Sequence, residues 1–376
     1  MKKLYPCFIF LLCLFVFASC SKHTEPTPAP SSTPTSPTSP TDPSAPLYFP
    51  PLTGTTWTTT SAISLGWDTT QLNALYPYLQ SKGTKAFIIL KDGKIVAEKY
   101  FGTFTTDSLW YWASAGKTMT GLLVGVAQQE GLLNINDVSS KYLGTGWTSE
   151  PLAKENLITI KDQLTMTTGL DDGVADPDNT LPSSLVYKAD AGTRWAYDDA
   201  PYTLLDGVIE KATGTTFLNY FQQKIRTPIG MNGTWIKSTN SNNVYYSNAR
   251  SMARFGLLML NKGTWDKTVI LSDTNYFNSQ VNSSQNINLS YGYLTWLNGK
   301  ASSMEPQSQI VFPHSIIPNA PADLYAALGK NDQKIYIVPS QKLIIIRMGN
   351  TAGGVNLAGS DFDNDLWAKL QPIIKY

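Results

Sequence analysis

The sequence predicts a mixed α/β (α+β) fold, in which an antiparallel sheet flanked by helices is joined to a mainly helical lobe. Hydrophobic residues follow a strand pattern early in the globular part, a helical pattern through its middle and a strand pattern again near the end. Strands at both ends of a chain can pair in one sheet while the segment between them folds as an insertion. We therefore expect an α/β lobe from about residues 84–145 and 285–376, and a helical lobe from about residues 146–284.

The beginning of the chain resembles the signal sequence of a bacterial lipoprotein. Lys2 and Lys3 precede an apolar run over residues 4–17, which is short for a membrane span, and a lipobox-like segment ends at Cys20. The resemblance implies a signal peptide over residues 1–19 and a lipid on the sulfur of Cys20. An ordinary signal peptide followed by an incidental cysteine is the alternative.

A stretch rich in proline, threonine and serine follows this signal. Residues 20–46 have too few apolar side chains to pack, so they are predicted to form an extended tether that begins at the lipidated Cys20 and leads to a domain over residues 47–376. On this interpretation the protein is a cell-envelope lipoprotein of a Gram-negative-type bacterium, periplasmic or anchored at the outer membrane. It would contact the membrane through the lipid alone.

The first strands and the first long helix of the domain have clear sequence boundaries. Residues 86–90 and 94–100 are hydrophobic runs on either side of Asp92-Gly93, which predicts a β-hairpin with a tight turn. An apolar run over residues 118–129 predicts a helix, and Gly131 is placed to end it.

The middle of the domain is predicted to contain helices separated by loops rich in glycine, proline and aspartate. Thr159 is placed to cap one helix, residues 202–212 form a second that ends before Gly214, and residues 249–260 form a third.

The period of the hydrophobic residues changes near the end of the chain. Residues 335–338 and 343–346 are predicted to be strands, and residues 362–374 a C-terminal helix. These late strands are the ones expected to join the early hairpin in a single sheet.

Composition excludes several classes of function. Lysine and arginine number 29 against 28 aspartates and glutamates, so a nucleic-acid partner is not expected. The only histidines are His23 and His314 and the only cysteines Cys7, Cys13 and Cys20, too few for a zinc site. His314 lies in an irregular segment that is more typical of a loop than of a catalytic base. A hydrolase in this chain is therefore expected to use a base other than imidazole, with no metal and no organic cofactor.

Ser114 and Lys117 stand three residues apart where the 118–129 helix begins. Side chains at this spacing are neighbours on a helix, so the Lys117 amine is within reach of the Ser114 hydroxyl, a weak nucleophile that needs a base. Apolar and aromatic neighbours predict that Lys117 is desolvated, which would lower its pKa. The start of the helix also supplies unpaired N–H groups that favour an oxyanion. A bare Ser-x-x-Lys nevertheless occurs by chance as a solvated helix turn.

A second candidate element is Tyr197-Asp198-Asp199, which precedes another predicted helix. A tyrosine beside a lysine cation can serve as acid or base, although most tyrosines are packing residues. The order of the parts carries more information than any single one. These parts are the hairpin, the Ser-x-x-Lys helix, Leu164-Thr165-Met166-Thr167-Thr168-Gly169-Leu170, the Tyr-x-Asp segment, Met252-Ala253-Arg254-Phe255-Gly256 and the terminal strands.

This order resembles the serine β-lactamase/penicillin-binding-protein superfamily over about residues 84–376. Within it, the chain is similar to the class C β-lactamase-like branch, which includes esterases, D-amino-acid peptidases and 6-aminohexanoate-dimer hydrolase. The resemblance implies a β-lactamase/transpeptidase-like fold. It also implies that Ser114 is the acylated nucleophile, that Lys117 takes its proton and that Tyr197 relays protons to the leaving group and from water. Asp199 stands where this superfamily usually has asparagine.

At the third motif, this sequence differs most from the usual pattern of the superfamily. The expected place of this motif, before the strand at residues 335–338, is filled by Leu328 to Gln333, which resembles the Gly-x-x-Gly-Gln variant of amide hydrolases and esterases. Gly329, Lys330 and Gln333 would support the site, with Asp332 in place of the second glycine. The backbone N–H groups of Ser114 and Lys330 would hold the carbonyl oxygen. The Lys-Thr-Gly that grips β-lactam carboxylates is absent, which argues against β-lactam hydrolysis.

A competing tyrosine lies further along the chain. Tyr246-Ser247-Asn248 matches Tyr-x-Asn better in its letters than Tyr197 does, but its distance from Ser114 is too long for the superfamily pattern. Tyr197 is therefore the predicted acid and base.

The function predicted from these residues is hydrolysis of an ester or amide bond in a small molecule or peptide, through an acyl-enzyme on Ser114. The alternatives are a DD-peptidase or β-lactamase acting on cell-wall peptides or β-lactams, and a catalytically idle binding protein that retains the hydrolase fold. The sequence leaves the oligomeric state open.

Overall fold

The computed structural model describes residues 46–353 and 359–376. The predicted signal peptide, Cys20 and nearly all of the tether lie outside the described residues and stay predictions. Within the described ranges, no helix is long and apolar enough to cross a membrane.

The domain contains eleven strands and eleven α-helices in the described part. The strands are β1 (Thr84–Lys91), β2 (Lys94–Tyr100), β3 (Trp110–Tyr111), β4 (Thr234–Lys237), β5 (Asn243–Ser247), β6 (Thr264–Trp265), β7 (Thr268–Val269), β8 (Trp296–Leu297), β9 (Tyr325–Gly329), β10 (Gln333–Val338) and β11 (Leu343–Gly349). The helices are α1 (Thr69–Ser81), α2 (Lys117–Gln129), α3 (Ser140–Leu143), α4 (Leu152–Glu155), α5 (Ile160–Thr165), α6 (Asp199–Thr203), α7 (Leu205–Thr213), α8 (Phe217–Phe221), α9 (Ala249–Leu260), α10 (Thr274–Gln280) and α11 (Asp361–Ile374).

The main sheet joins the early hairpin to the late strands. Its order is β2-β1-β11-β10-β9-β8, and the neighbours are antiparallel. The last strand therefore lies between the first strand and the rest of the sheet, with Ile88 opposite Ile346. The residues of β11 are all buried, so this strand is a central part of the core. The predicted α/β (α+β) fold class is confirmed.

The tight turn of the hairpin follows from its two residues. Asp92 has φ 52° and Gly93 has φ 80°, the left-handed region that two-residue hairpin turns require and that Asp-Gly tolerates well. A Cβ on Gly93 would lie 1.9 Å from the carbonyl oxygen of Tyr48, so only glycine fits here.

Helix α9 packs on the main sheet, although it falls within the range assigned to the helical lobe. Gly256 brings the helix so close that a Cβ there would lie 2.8 Å from Ile344 and 3.2 Å from Ile335. The predicted helix over residues 249–260 is confirmed, while the division into two lobes stays a prediction.

Local signals also set the ends of other helices. The Thr159 side chain accepts a hydrogen bond from the backbone N–H of Asp162, which completes a capping box at the start of α5. Gly214 ends α7 in the left-handed conformation. The segment predicted as one helix over residues 202–212 is divided between α6 and α7 at Leu204.

A second, three-stranded sheet of order β3-β5-β4 supports the approach to Ser114. Trp112, directly after β3, donates its backbone N–H to the Tyr245 carbonyl at 2.8 Å and its indole N–H to Ser247 Oγ at 2.8 Å. The segment that leads to Ser114 is thereby held in place before α2 begins.

Candidate active site

Ser114 lies in a 3₁₀ turn, Ala113–Gly116, that runs directly into α2. The residue before it, Ala113, has φ 48°, a conformation that is unfavourable for alanine and is kept only where surrounding contacts impose it. The Ser114 hydroxyl accepts a hydrogen bond from Lys117 Nζ at 2.9 Å. The spacing of the two residues therefore brings amine and hydroxyl together, as predicted from the helix.

Lys117 is almost fully buried and carries its charge in an enclosed site. Its ammonium is ion-paired with the Asp199 carboxylate and lies 5.0 Å from the ring centroid of Tyr197 and 4.4 Å from that of Tyr202. Burial is the largest single influence and acts to lower the pKa of Lys117, but the charge of Asp199, the two tyrosines and the hydrogen bond to Asp199 together outweigh it and hold the pKa above its usual value. The expectation that burial leaves Lys117 with a lowered pKa is therefore wrong.

Tyr197 is positioned by aromatic packing just before α6. Its ring stacks on Trp296 with centroids 5.5 Å apart and meets Tyr291 edge-on at 6.1 Å. The hydroxyl makes no hydrogen bond within the described residues. Burial raises the pKa of Tyr197, while Lys117 and Ser114 act to lower it. The phenol thus lies close enough to both proposed catalytic groups for each of them to affect its pKa.

Carboxyl groups crowd the side of the cleft behind Lys117. The Asn242 amide donates to Asp178 at 2.6 Å and lies 3.5 Å from the Asp199 carboxylate. Burial and the charge of Asp199 raise the pKa of Asp178 to about 6. The neighbouring Asp198 is buried, and burial together with Asp199 raises its pKa to about 8. Several protons can therefore be held or released around Lys117 near neutral pH.

The end of β9 lies against the backbone of the nucleophile. A Cβ on Gly329 would lie 2.3 Å from the carbonyl oxygen of Trp112 and 3.2 Å from the Ser114 nitrogen, so a side chain is excluded at this position. Lys330 follows and lines the same cleft as Ser114. The backbone N–H groups of Ser114 and Lys330 have no hydrogen-bond partner in the part of the chain that the structure describes. The two amides are available to an oxyanion.

Gln333 lies behind the cleft, fully buried. Its amide nitrogen donates to the carbonyls of Asn331 at 2.8 Å and Gly349 at 2.7 Å, and its amide oxygen accepts from the Gly349 N–H at 3.0 Å. It thus ties the β9–β10 turn to β11, which fits the supporting role predicted for it.

Five of the predicted residues line one cleft of about 410 Å³, namely Ser114, Lys117, Tyr197, Asp199 and Lys330, whereas Gly329 and Gln333 do not line it. Among the lining residues that sequence reasoning did not identify, four carry polar groups close to Lys117 or the cleft wall: Asp172, Asp178, Tyr202 and Asn242. Tyr202 could have been found from its position five residues after Tyr197, on the predicted helix. The other three lie on irregular segments whose sequence carries no recognisable pattern.

The competing candidates lie elsewhere. Tyr246 is on β5 opposite Tyr111, and Asn248 caps α9. His314 is exposed, with Nδ1 beside the carbonyl of Ser315 at 2.9 Å. None of the three lines the Ser114 cleft. Among the described residues, no group of histidine, cysteine, aspartate and glutamate side chains could hold a metal ion.

Comparison with known proteins agrees with this geometry. The model of the beta-lactamase family matches residues 80–367, which includes every cleft residue named above. The chain belongs to the beta-lactamase family. Membership supports serine-hydrolase or penicillin-binding-protein-like activity in general.

Relatives of this family member are distant. Protein flp of Staphylococcus aureus (strain MW2) is 28% identical over 177 residues, which is 41% of this chain and 35% of flp. The match thus spans about a third of the length of this curated relative. A candidate beta-lactamase from Bacteroides dorei DSM 17855 has a TM-score of 0.64 at 18% identity, covering 82% of this chain and 100% of that one. A candidate 6-aminohexanoate-dimer hydrolase from Bacillus anthracis has a TM-score of 0.59 at 19% identity, covering 79% and 80%. At these identities the solved structures show the fold alone.

Proposed function

We propose that this beta-lactamase family member is a serine hydrolase that cleaves an ester or amide bond through an acyl-enzyme on Ser114. The observation that carries the proposal is the contact of 2.9 Å between Ser114 Oγ and Lys117 Nζ, beside two unpaired backbone amides. A nucleophile, a group that exchanges protons with it and an oxyanion site are the parts that acyl transfer requires.

The substrate carbonyl would lie with its oxygen between the N–H groups of Ser114 and Lys330. One well-aimed donor of this kind stabilises the transition state by about 3 kcal/mol. Ser114 Oγ forms a bond to the carbonyl carbon, and the hydroxyl proton passes to the neutral amine of Lys117, from which Tyr197 relays it. The tetrahedral intermediate then collapses, the bond to the leaving group breaks, and Tyr197 returns a proton to that group.

The ion pair between Lys117 and Asp199 adds a condition to this sequence. A lysine with a raised pKa is an ammonium at neutral pH, and an ammonium cannot accept a proton. Its extra proton must first leave to solvent through the cleft that Lys117 lines, and the Asp199 carboxylate opposes this loss because it stabilises the ammonium. Water later attacks the acyl-enzyme and gives one proton to Lys117 by way of Tyr197. The bond to Ser114 Oγ then breaks, the acid leaves, and Lys117 returns the proton to Ser114.

The substrate class is an ester or amide in a small molecule or peptide. A DD-peptidase or β-lactamase activity at the same serine is the second candidate, and family membership favours it. The absence of a Lys-Thr-Gly before β10 opposes it, because Leu328, Gly329 and Lys330 fill that place. Acylation by a labelled penicillin separates the two candidates.

The test is a panel of p-nitrophenyl esters, D-amino-acid amides, linear amides and nitrocefin, run on the wild type and on Ser114→Ala. A fluorophosphonate probe should label the wild type and the exposed control Ser64→Ala, but not Ser114→Ala. Labelling that survives in Ser114→Ala places the nucleophile elsewhere. A wild type that neither reacts with the probe nor turns over any member of the panel supports an idle binding protein.

We also propose that a lipid on Cys20 anchors the domain in the cell envelope, on the strength of the lipobox-like sequence. Metabolic labelling with an alkyne fatty acid should mark the wild type and leave Cys20→Ser unmarked. Equal labelling of both would rule the anchor out.

A further inference from the structure

The turn between β9 and β10 has an unusual backbone. Asn331 and Asp332 have φ 60° and 61°, so two consecutive residues with side chains occupy the left-handed region. Asparagine and aspartate enter this region more readily than other residues with a Cβ, but two in succession still lose freedom and are kept where the surroundings fix them. The turn follows Lys330, whose N–H faces no partner within the described ranges.

The buried Asp332 side chain holds the turn through its hydrogen bonds and an ion pair. It is fully buried, and its carboxylate accepts hydrogen bonds from the Ala352 N–H at 2.8 Å and from Ser360 Oγ at 2.7 Å. Lys334 Nζ lies 3.3 Å away. Burial acts to raise the pKa of Asp332, but Lys334 and the two hydrogen bonds hold it below its usual value. The carboxylate is therefore charged and multiply bonded.

These contacts connect the turn to the C-terminal helix. Ser360 is the N-cap of α11 and shares a capping box with Asp363, and Lys334 also pairs with Asp363 at 2.8 Å. On the other side, the Arg347 guanidinium of β11 donates to the carbonyls of Asn331 at 3.1 Å and Asp332 at 2.8 Å. The turn is held by both its side chain and its carbonyls.

An oxyanion donor is effective only at about 2.7–3.1 Å from the position that the oxygen will occupy. The backbone of Gly329 is already in contact with the Ser114 segment, so a small rotation of the turn moves the Lys330 amide relative to Ser114. We propose that Asp332 is a positioning residue of the reaction, which aims the Lys330 amide by tying its turn to Ser360 and α11. This inference rests on the proposed function and extends it to a residue that touches no substrate.

The test uses Asp332→Gly, because glycine accepts the left-handed backbone while it removes the carboxylate. If the only requirement at position 332 were the left-handed backbone, the glycine variant would be at least as active as the wild type. We expect kcat on a p-nitrophenyl ester to fall about tenfold or more, with KM within about twofold of the wild type. The inhibition constant of phenylboronic acid, whose adduct on Ser114 places an oxygen in the oxyanion site, should rise by about the same factor. Rates are divided by the concentration of serine titrated with the fluorophosphonate, so that misfolded protein does not count.

Asp92→Gly is the matched control, since Asp92 has a similar φ of 52° in the β1–β2 turn and should leave both constants within twofold. Asp332→Asn keeps the shape and is the second variant if the glycine variant does not fold; it should show a smaller loss in the same two constants. The proposal is overturned if kcat and the boronate constant stay within twofold in Asp332→Gly, or if kcat falls while boronate affinity does not. Failure of the proposed function is distinct, because the wild type itself would then neither react with the probe nor hydrolyse the panel.

Discussion

Replacing Asp199 by asparagine tests how the charge on Lys117 is controlled. The substitution removes a carboxylate that contacts the ammonium while keeping its size. Because the charge of Asp199 raises the pKa of Lys117, its removal must lower that pKa. The neutral amine then becomes available at lower pH. Since the acidic limb of kcat/KM reports the base of the free enzyme, that limb should move to lower pH.

The size of the movement follows from Coulomb's law. Two unit charges about 4 Å apart interact by about 4 kcal/mol at an effective dielectric constant of 20, and 1.36 kcal/mol corresponds to one pKa unit. At this separation the interaction corresponds to about three pH units. Asp199 retains 24% of its side-chain exposure, which screens the interaction, so we expect a movement of about one to two pH units.

The assay is kcat/KM for an activated ester between pH 5 and pH 10, with the enzyme concentration set by titration of Ser114. Because the pKa of Lys117 is raised, the wild type lies on the acidic limb throughout this range, and the movement appears as a rise in kcat/KM of about 10- to 100-fold at any one pH. Asp172→Asn is the control, because Asp172 lines the same cleft but is paired with Arg194 at 2.5 Å. Its acidic limb should coincide with that of the wild type. A limb that stays in place in Asp199→Asn refutes the role of Asp199, and with it the assignment of Lys117 as the titrating base.

Three further predictions test other parts of the site. Tyr197→Phe should lower kcat by about 10² to 10⁴-fold, as expected for loss of an acid-base group, whereas Tyr246→Phe should change it less than twofold; equal effects would remove Tyr197 from the mechanism. Gly329→Ala should reduce both soluble yield and activity, because its Cβ would lie 2.3 Å from a backbone oxygen, while Gly359→Ala meets no atom within 4 Å and should behave as wild type. Asp198 has a pKa of about 8 in the folded protein against 3.8 as its ordinary value, so the folded state binds the extra proton between these pH values and loses stability as pH rises. Asp198→Asn, which mimics the protonated form, should therefore raise the melting temperature relative to wild type at pH 8 but not at pH 4; an equal difference at both would contradict the assignment.

Local patterns predicted the elements that depend on neighbours in the sequence. The hairpin was predictable because the Asp92-Gly93 pair favours a tight turn. Helix α9 was predictable because its hydrophobic residues recur with a period of about 3.6 within one short segment. The contact of Ser114 with Lys117 belongs to the same class, since one turn of helix sets it.

Elements that depend on distant partners were not predictable in this way. Strand β3 has two residues and exists because it pairs with β5, more than a hundred positions later. The cleft residues Asp178 and Asn242 lie on irregular segments and meet only through tertiary packing. Such pairings leave no periodic signal in a single sequence.

The direction of the Lys117 pKa shows the same limit. Its apolar neighbours in sequence correctly indicate burial, and burial alone lowers a lysine pKa. The largest opposing influence is the charge of Asp199, and its contact with the Lys117 ammonium is made only when α2 and α6 come together in the folded chain. Sequence identified both residues but could not decide which effect is larger.

The position of β11 in the sheet has a consequence for folding during synthesis. Thr84 pairs with Gly349, so the first strand waits for a neighbour that the ribosome adds some 260 residues later. Until then one edge of β1 has no hydrogen-bonding partner in the main sheet. Premature termination before β11 would therefore prevent the domain from folding, because β11 is an inner strand of the main sheet.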